Sequence, residues 1–366
     1  MMFGSQVLTD QIRREPKSTQ VTARRSDVRK KRNNLPQLLI VLATSILSAS
    51  AQTTWKVQNT FHVGGPGGWD YVTVDAPNHR LFVTRSTHTQ AIDETTGKVL
   101  GDIPRQIRSH GVALVPELNR GFITDGGGQG AIIIFDLKTY AVLGKIVAMP
   151  DADGIIYDPK QKVVLVVSGD GNALMTIKPD IDPKTSKMDS PITLGGAPEF
   201  LAADGAGKVY IDLEDKDMVA KVDLKSRKVE AQWPVMPGGH PVGMAMDTGK
   251  HLLFVGCRNP QKLVIMNADS GTVVDSLPIG KGVDATKFDE GVAYASAGDG
   301  TLTIVSMQGG KWAVVQTVKT ASSARTMGVD EITRKSYLPA AEMLPAAGNA
   351  RPQAKPDSFM IIEVGK

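Results

Sequence analysis

The sequence predicts an all-β chain, a seven-bladed β-propeller of four-stranded blades closed by the mature N-terminal strand. Three observations carry the prediction. Seven short apolar strands end in register at Asp75, Pro116, Asp158, Asp204, Asp247, Asp289 and Asp330, at steps of 41, 42, 46, 43, 42 and 41 residues. Each is followed by two more apolar runs and a polar turn, the pattern of one blade repeated at a fixed period. The count also closes. The seventh repeat stops at its third strand, IIEV, and residues 55–65 (WKVQNTFHVGG) read as the missing fourth. An open ring would expose sheet edges, so closure is the stable arrangement.

The clearest unit is residues 242–279. VGMAMD is followed by the turn TGK, LLFVG, a polar turn, LVIMNA, the turn DSG and TVVDSLPI. The same second strand recurs as LFVT, GFITD, VVLVVSG, KVYIDL, VAYASAG and the weaker SYLP. Third strands follow as TQAIDE, AIIIFDL, ALMTIKP, MVAKVDL, TLTIVSM and SFMIIEV. Turns into the fourth strand repeat as ETTGKVL, DLKTYAVL and DLKSRKVE. Gly and Pro ahead of several first strands (GGPGGWD, GGAPE, PGGHP) suit a tight crossing from outer to inner strand. Two segments break the period. Residues 178–190 lengthen the third-to-fourth connection of blade 3. Residues 339–357 lengthen the second-to-third connection of blade 7, as a functional flap or as a segment without order.

Two domains of the chain differ in charge. Residues 1–51 hold nine of the 42 Lys and Arg and three of the 38 Asp and Glu, leaving 33 against 35 in residues 52–366, a net of −2. The net charge of +4 therefore belongs to the leader, and no nucleic-acid partner is expected. The leader reads as a signal peptide with a long basic n-region. The apolar run 38–47 (LLIVLATSIL) precedes Ala49-Ser50-Ala51, with Gln52 as the mature start. The run is too short for a permanent membrane anchor. Arg24-Arg25 leaves the twin-arginine export route open beside the general one. Either route implies a periplasmic or secreted protein. The single cysteine, Cys257, permits no intrachain disulfide, and its apolar setting reads as a buried, inert thiol. The expected state is a monomer.

The blade sequence resembles the YVTN repeat, or YncE-like, seven-bladed propellers. The resemblance rests on LFVTR with TQAIDETTGKVLGDI, GFITD with AIIIFDLKTYAVLGKI, and LLFVG with LVIMNADSGTVVDSLPIG, and is met best by FVTR ending at Arg85. It covers residues 55–366. What it implies is an exported propeller; its motif is structural and carries over no catalytic residues.

No catalytic motif stands out. DGGGQGA (125–131) has dinucleotide-like spacing, but a strand follows where a helix N-terminus is required, so it reads as a hairpin tip. LEDKD (213–217) is an acidic hairpin without the spacing of a calcium loop. The stronger signal is positional. In a propeller, each crossing from outer to inner strand reaches one rim of the central channel. Just ahead of the seven first strands stand Asp70, His110, Asp153, Glu199, His240, Asp284 and Arg325, and the second-to-third hairpins add Arg85, His88 and Arg258 on the same face. Such a ring can converge on a small ligand, a protein partner or a divalent metal ion. It can also be ordinary wet polarity at a channel mouth. The sequence therefore supports a ligand- or protein-binding scaffold, with a metal-assisted, lactonase-like hydrolase or lyase as the alternative use of the same mouth.

Overall fold

The computed structural model describes residues 54–184, 188–345 and 352–366. Their strands form seven four-stranded antiparallel sheets, the blades of a seven-bladed β-propeller. The inner strands are Val72–Asp75, Ser109–Val115, Ala152–Asp158, Pro198–Ala203, Pro241–Asp247, Val283–Asp289 and Gly328–Val329. Successive inner strands touch all the way round, blade 7 against blade 1 included. Six blades take their four strands in chain order. Blade 7 takes Ser336–Ala340 and Met360–Gly365, and its outer strand is Lys56–His62 from the other end of the chain. Lys56 stands opposite Gly365 and His62 opposite Met360, so the expected closure is present.

The apolar core lies between blades. Seven clusters of buried side chains occupy the seven blade-to-blade interfaces. Strand alternation explains how one apolar run serves two of them. In Ala131–Asp136 (AIIIFD), Ile132 and Ile134 pack toward blade 3, whereas Ile133 and Phe135 pack toward blade 1. Strands buried on both faces read as near-continuous apolar sequence, which is why the repeats show runs as well as alternation.

The acidic residue ending most first strands builds a turn. Asp158 Oδ1 accepts the backbone N–H groups of Lys160 and Gln161 at 2.9 and 3.0 Å, and Asp247 Oδ1 those of Gly249 and Lys250, both at 3.0 Å. Asp136 and Asn267 do the same at third-to-fourth turns. These Asx turns fix the face opposite the crossings.

Two connections depart from the regular blade. The fourth strand of blade 3 shrinks to Ile192–Thr193 after the long segment predicted there. Residues 185–187 of that segment, residues 346–351 of the blade 7 connection, and the leader 1–51 lie outside the described residues. Met343 and Ala354 form an isolated bridge at the base of the blade 7 connection. Cys257 is fully buried, and burial pushes its thiol up to about 12. The glycines of DGGGQGA form the hairpin tip between Arg120–Asp125 and Ala131–Asp136.

Candidate functional site at the channel mouth

The first strands of blades 2 to 6 carry a register irregularity near their start. It falls between Ser109 and Val112, Ala152 and Ile155, Pro198 and Leu201, Pro241 and Gly243, and Val283 and Ala285. A bulge re-aims the side chain that it carries. His110, Asp153, Glu199 and Asp284 sit in these irregular segments, and His240 sits just before its own at φ 56°. Neighbouring blades hold the strand starts in place. Thr84 Oγ1 donates to the His110 carbonyl at 2.7 Å, and Thr326 Oγ1 to the Asp70 carbonyl at 2.6 Å. Within blade 4 itself, Asp212 Oδ1 accepts the N–H groups of Glu199 and Phe200 at 3.2 and 2.7 Å.

The seven register positions form one connected belt. His110 Nδ1 lies 2.6 Å from Asp70 Oδ2 and 3.5 Å from Asp153 Oδ1. Arg325 Nη2 lies 3.5 Å from Asp70 Oδ1, while its Nε pairs with Asp284. Arg258 pairs with the other Asp284 oxygen, and its Nη1 lies 3.0 Å from Glu214 Oε1. His240 Nε2 lies 2.6 Å from that same oxygen, and the Glu199 carboxyl stands close enough to Glu214 for their charges to repel. The belt thus joins the starts of all seven blades, with Arg258 and Glu214 as cross-links.

Burial and mutual repulsion set its protonation. For Glu199, burial first, then Asp153 and Glu214, push the carboxyl well above its ordinary range. Burial also raises Asp153, against the pull of His110. For His110, burial opposes the charged form, but Asp153 and Asp70 outweigh it and push the imidazole up to about 9. Asp284 stays raised by burial despite its two guanidinium partners. Some belt carboxyls therefore carry protons near neutrality, so the belt offers both donors and acceptors.

Arg85 and His88 stand apart from the belt. Arg85 is fully buried, and its guanidinium donates to the carbonyls of Gly64, Gly65, Pro66, Gly67 and Gly68 and to Gln90 Oε1. It stacks 3.6 Å from the Phe359 ring centroid. The glycine-rich crossing turns its carbonyls inward and captures the side chain, so Arg85 organises that crossing. His88 Nε2 lies 3.7 Å from Asp102 Oδ1, within blade 1.

Glu214 is the belt residue that the sequence reading passed over. It follows the second strand Lys208–Leu213, as Arg258 ends the equivalent strand in blade 5, so hairpin register could have found it. The other carboxylates of LEDKD cap backbone. Asp215 accepts Ala197 N at 2.7 Å, and Asp217 accepts His240 N at 2.6 Å. At the equivalent position of blade 2, Gly126 makes room for the imidazole: a Cβ there would sit 2.9 Å from His110 Nε2.

Below the belt, Tyr71 and Phe200 pack with ring centroids 5.1 Å apart. They cap a cavity of about 630 Å³ that runs to Glu117 and Glu331 on the opposite face and holds the Lys287 amine, 5.1 Å from the Phe200 centroid. A more voluminous depression of about 760 Å³ lies between blades on that opposite face, lined by residues such as Tyr157, Lys178 and Arg227. It contains no belt residue. The belt, with its convergent titratable groups, is the better candidate site.

No family model matches the sequence, and no curated protein matches it. Among solved structures, the chain is similar to the hydrazine synthase of Kuenenia stuttgartiensis, with TM-score 0.66 and 14% identity, over 77% of this chain and 95% of that one. The likeness is one of fold.

Proposed function

We propose that this protein is an exported propeller of the YVTN, YncE-like kind that binds a small polar ligand at its channel mouth as a monomeric scaffold. The observation that carries this reading is the continuous belt, in which side chains from seven blades meet at one end of the channel. Export is supported by the apolar run 38–47 followed by Ala49-Ser50-Ala51. The belt side chains are largely recessed, which suits a small molecule better than a protein partner, whose interfaces typically bury about 1,600 Å².

Expression in a Gram-negative host tests both halves. The mature protein should be recovered from the periplasm with Gln52 at its N-terminus; an uncleaved cytoplasmic chain would overturn the export half. In thermal-shift screening against small polar ligands, at least one should stabilise the protein. A ligand at a hundredfold its Kd adds about 2.7 kcal/mol. Arg258→Ala combined with Arg325→Ala should abolish that response. A response that survives the double substitution sinks the site assignment. A second reading, a metal-assisted hydrolase or lyase, is favoured by the closeness of His110 to Asp70 and Asp153. It requires lactone or ester turnover that Asp153→Asn removes.

A further inference from the structure

We propose that Asp70, His110 and Asp153 form a site for one divalent transition-metal ion, of the zinc or manganese type. The proposal rests on the reading of the mouth as a binding site and names one component of what it binds. Three arguments lead to it.

The first is convergence. The residues come from three different blades, and one ligand atom from each lies within 4.8 Å of the others. His110 Nδ1 faces both carboxylates, at 2.6 and 3.5 Å. One imidazole nitrogen with two carboxylate oxygens suits borderline first-row ions, which accept mixed nitrogen and oxygen ligands. Three protein ligands leave a further coordination position for water or for the polar ligand.

The second is charge balance along the belt. Five carboxyl groups, Asp70, Asp153, Glu199, Glu214 and Asp284, face two guanidinium groups. Both guanidinium groups are drawn to Asp284, and Arg258 also serves Glu214. Among the described residues, the guanidinium contact to Asp70 is the longer 3.5 Å one from Arg325, and Asp153 has no guanidinium or ammonium contact. At that corner the two aspartates share the His110 imidazole as their close cationic partner, and a metal ion bound there would take the place of its Nδ1 proton.

The third is an unmet valence in a buried place. His110 and Asp153 are 7% and 8% exposed. Among the described residues, Asp153 Oδ1 is buried without a hydrogen-bond donor, although it lies 3.5 Å from His110 Nδ1, and His110 Nε2 is likewise without a partner. A buried carboxylate oxygen left without a donor carries an uncompensated desolvation cost. A cation between the two aspartates would satisfy it. The remaining carboxylate oxygen of Asp70 already faces Arg325, which would orient that ligand from outside, as outer partners do in metal sites.

The test uses the mature protein, stripped with chelator and desalted, in titration calorimetry with Zn²⁺ and Mn²⁺ and with Ca²⁺ and Mg²⁺ as comparators. One equivalent of Zn²⁺ or Mn²⁺ should bind more tightly than either comparator. Asp153→Asn and His110→Gln should each weaken it by at least about 100-fold. Because a substituted belt could fail to fold, circular dichroism accompanies each variant. Co²⁺ added to the unsubstituted protein gives an independent readout, since it should show visible bands of a mixed nitrogen and oxygen site at one equivalent. Absence of a one-to-one isotherm, or binding that folded Asp153→Asn leaves unchanged, overturns the proposal. Stabilisation by a polar ligand without metal would leave the scaffold reading standing while the metal site falls.

Discussion

Lys287 shows what a single side chain inside the channel costs. Its amine lies against Phe200 in the cavity below the belt, and burial lowers it to about 8, with Glu331 pulling weakly the other way. In the unfolded chain a lysine titrates near ~10.4. Below pH 8 both states hold the proton, so the folded protein bears the full cost of a buried ammonium. Between about pH 8 and ~10.4 the folded state has released the proton and the unfolded state has not, so stability rises with pH. Lys287→Met should therefore stabilise the protein at pH 7 by about 1–2 kcal/mol, measured by urea denaturation, and the gain should shrink toward pH 10. A gain that is flat with pH would show that the amine is not desolvated. The residue scale is also where sequence reading reached its limit. Arg85 and Arg258 share a residue type and a place at the second-strand end. One is captured by the carbonyls of the Gly64 to Gly68 crossing and the other by Asp284 and Glu214. What separates them is a partner supplied by a neighbouring segment or blade, which local register does not encode.

At the scale of elements, turns were legible because their chemistry is local. An Asp that accepts the next two or three N–H groups, and a Gly that adopts a left-handed conformation, act within one turn. The bulges at the first strands were not legible, since they answer to pairing with the second strand. Gly271 joins the two levels. It has φ +73° in the third-to-fourth turn of blade 5, and a Cβ there would lie 2.1 Å from the Trp233 ring of blade 4. Gly291 has φ +84° with open space around it. Gly291→Ala should cost about 1 kcal/mol, the price of the backbone conformation alone. Gly271→Ala should cost about 2–4 kcal/mol and shift Trp233 fluorescence, because a blade contact is lost as well. Equal losses at both sites would show that the Trp233 contact carries no stability.

For the molecule as a whole, the closing strand is the point of leverage. Lys56–His62 pairs along Met360–Gly365, and Trp55 exchanges hydrogen bonds with Gln316 of blade 6, its N–H donating at 2.9 Å and its carbonyl accepting at 2.6 Å. Deleting residues 54–62 would bare an edge containing Ile361, Ile362 and Val364. The truncated protein should lose its single cooperative melting transition or aggregate, as followed by calorimetry and light scattering. A Tm within about 2 °C of the full-length value would mean that three strands suffice for blade 7. The ring was legible in sequence because its period and its missing strand are counts, independent of any particular contact. The belt was half legible, because register places a side chain at the mouth but does not choose its partner. The closure has one more consequence. Lys56–His62 runs toward the belt, and Met360–Gly365 runs away from it, so Lys56 and Gly365 sit side by side at the far rim. A tag or surface tether fused at residue 54 or at Lys366 would hold the propeller by its back, leaving the belt end facing outward and free.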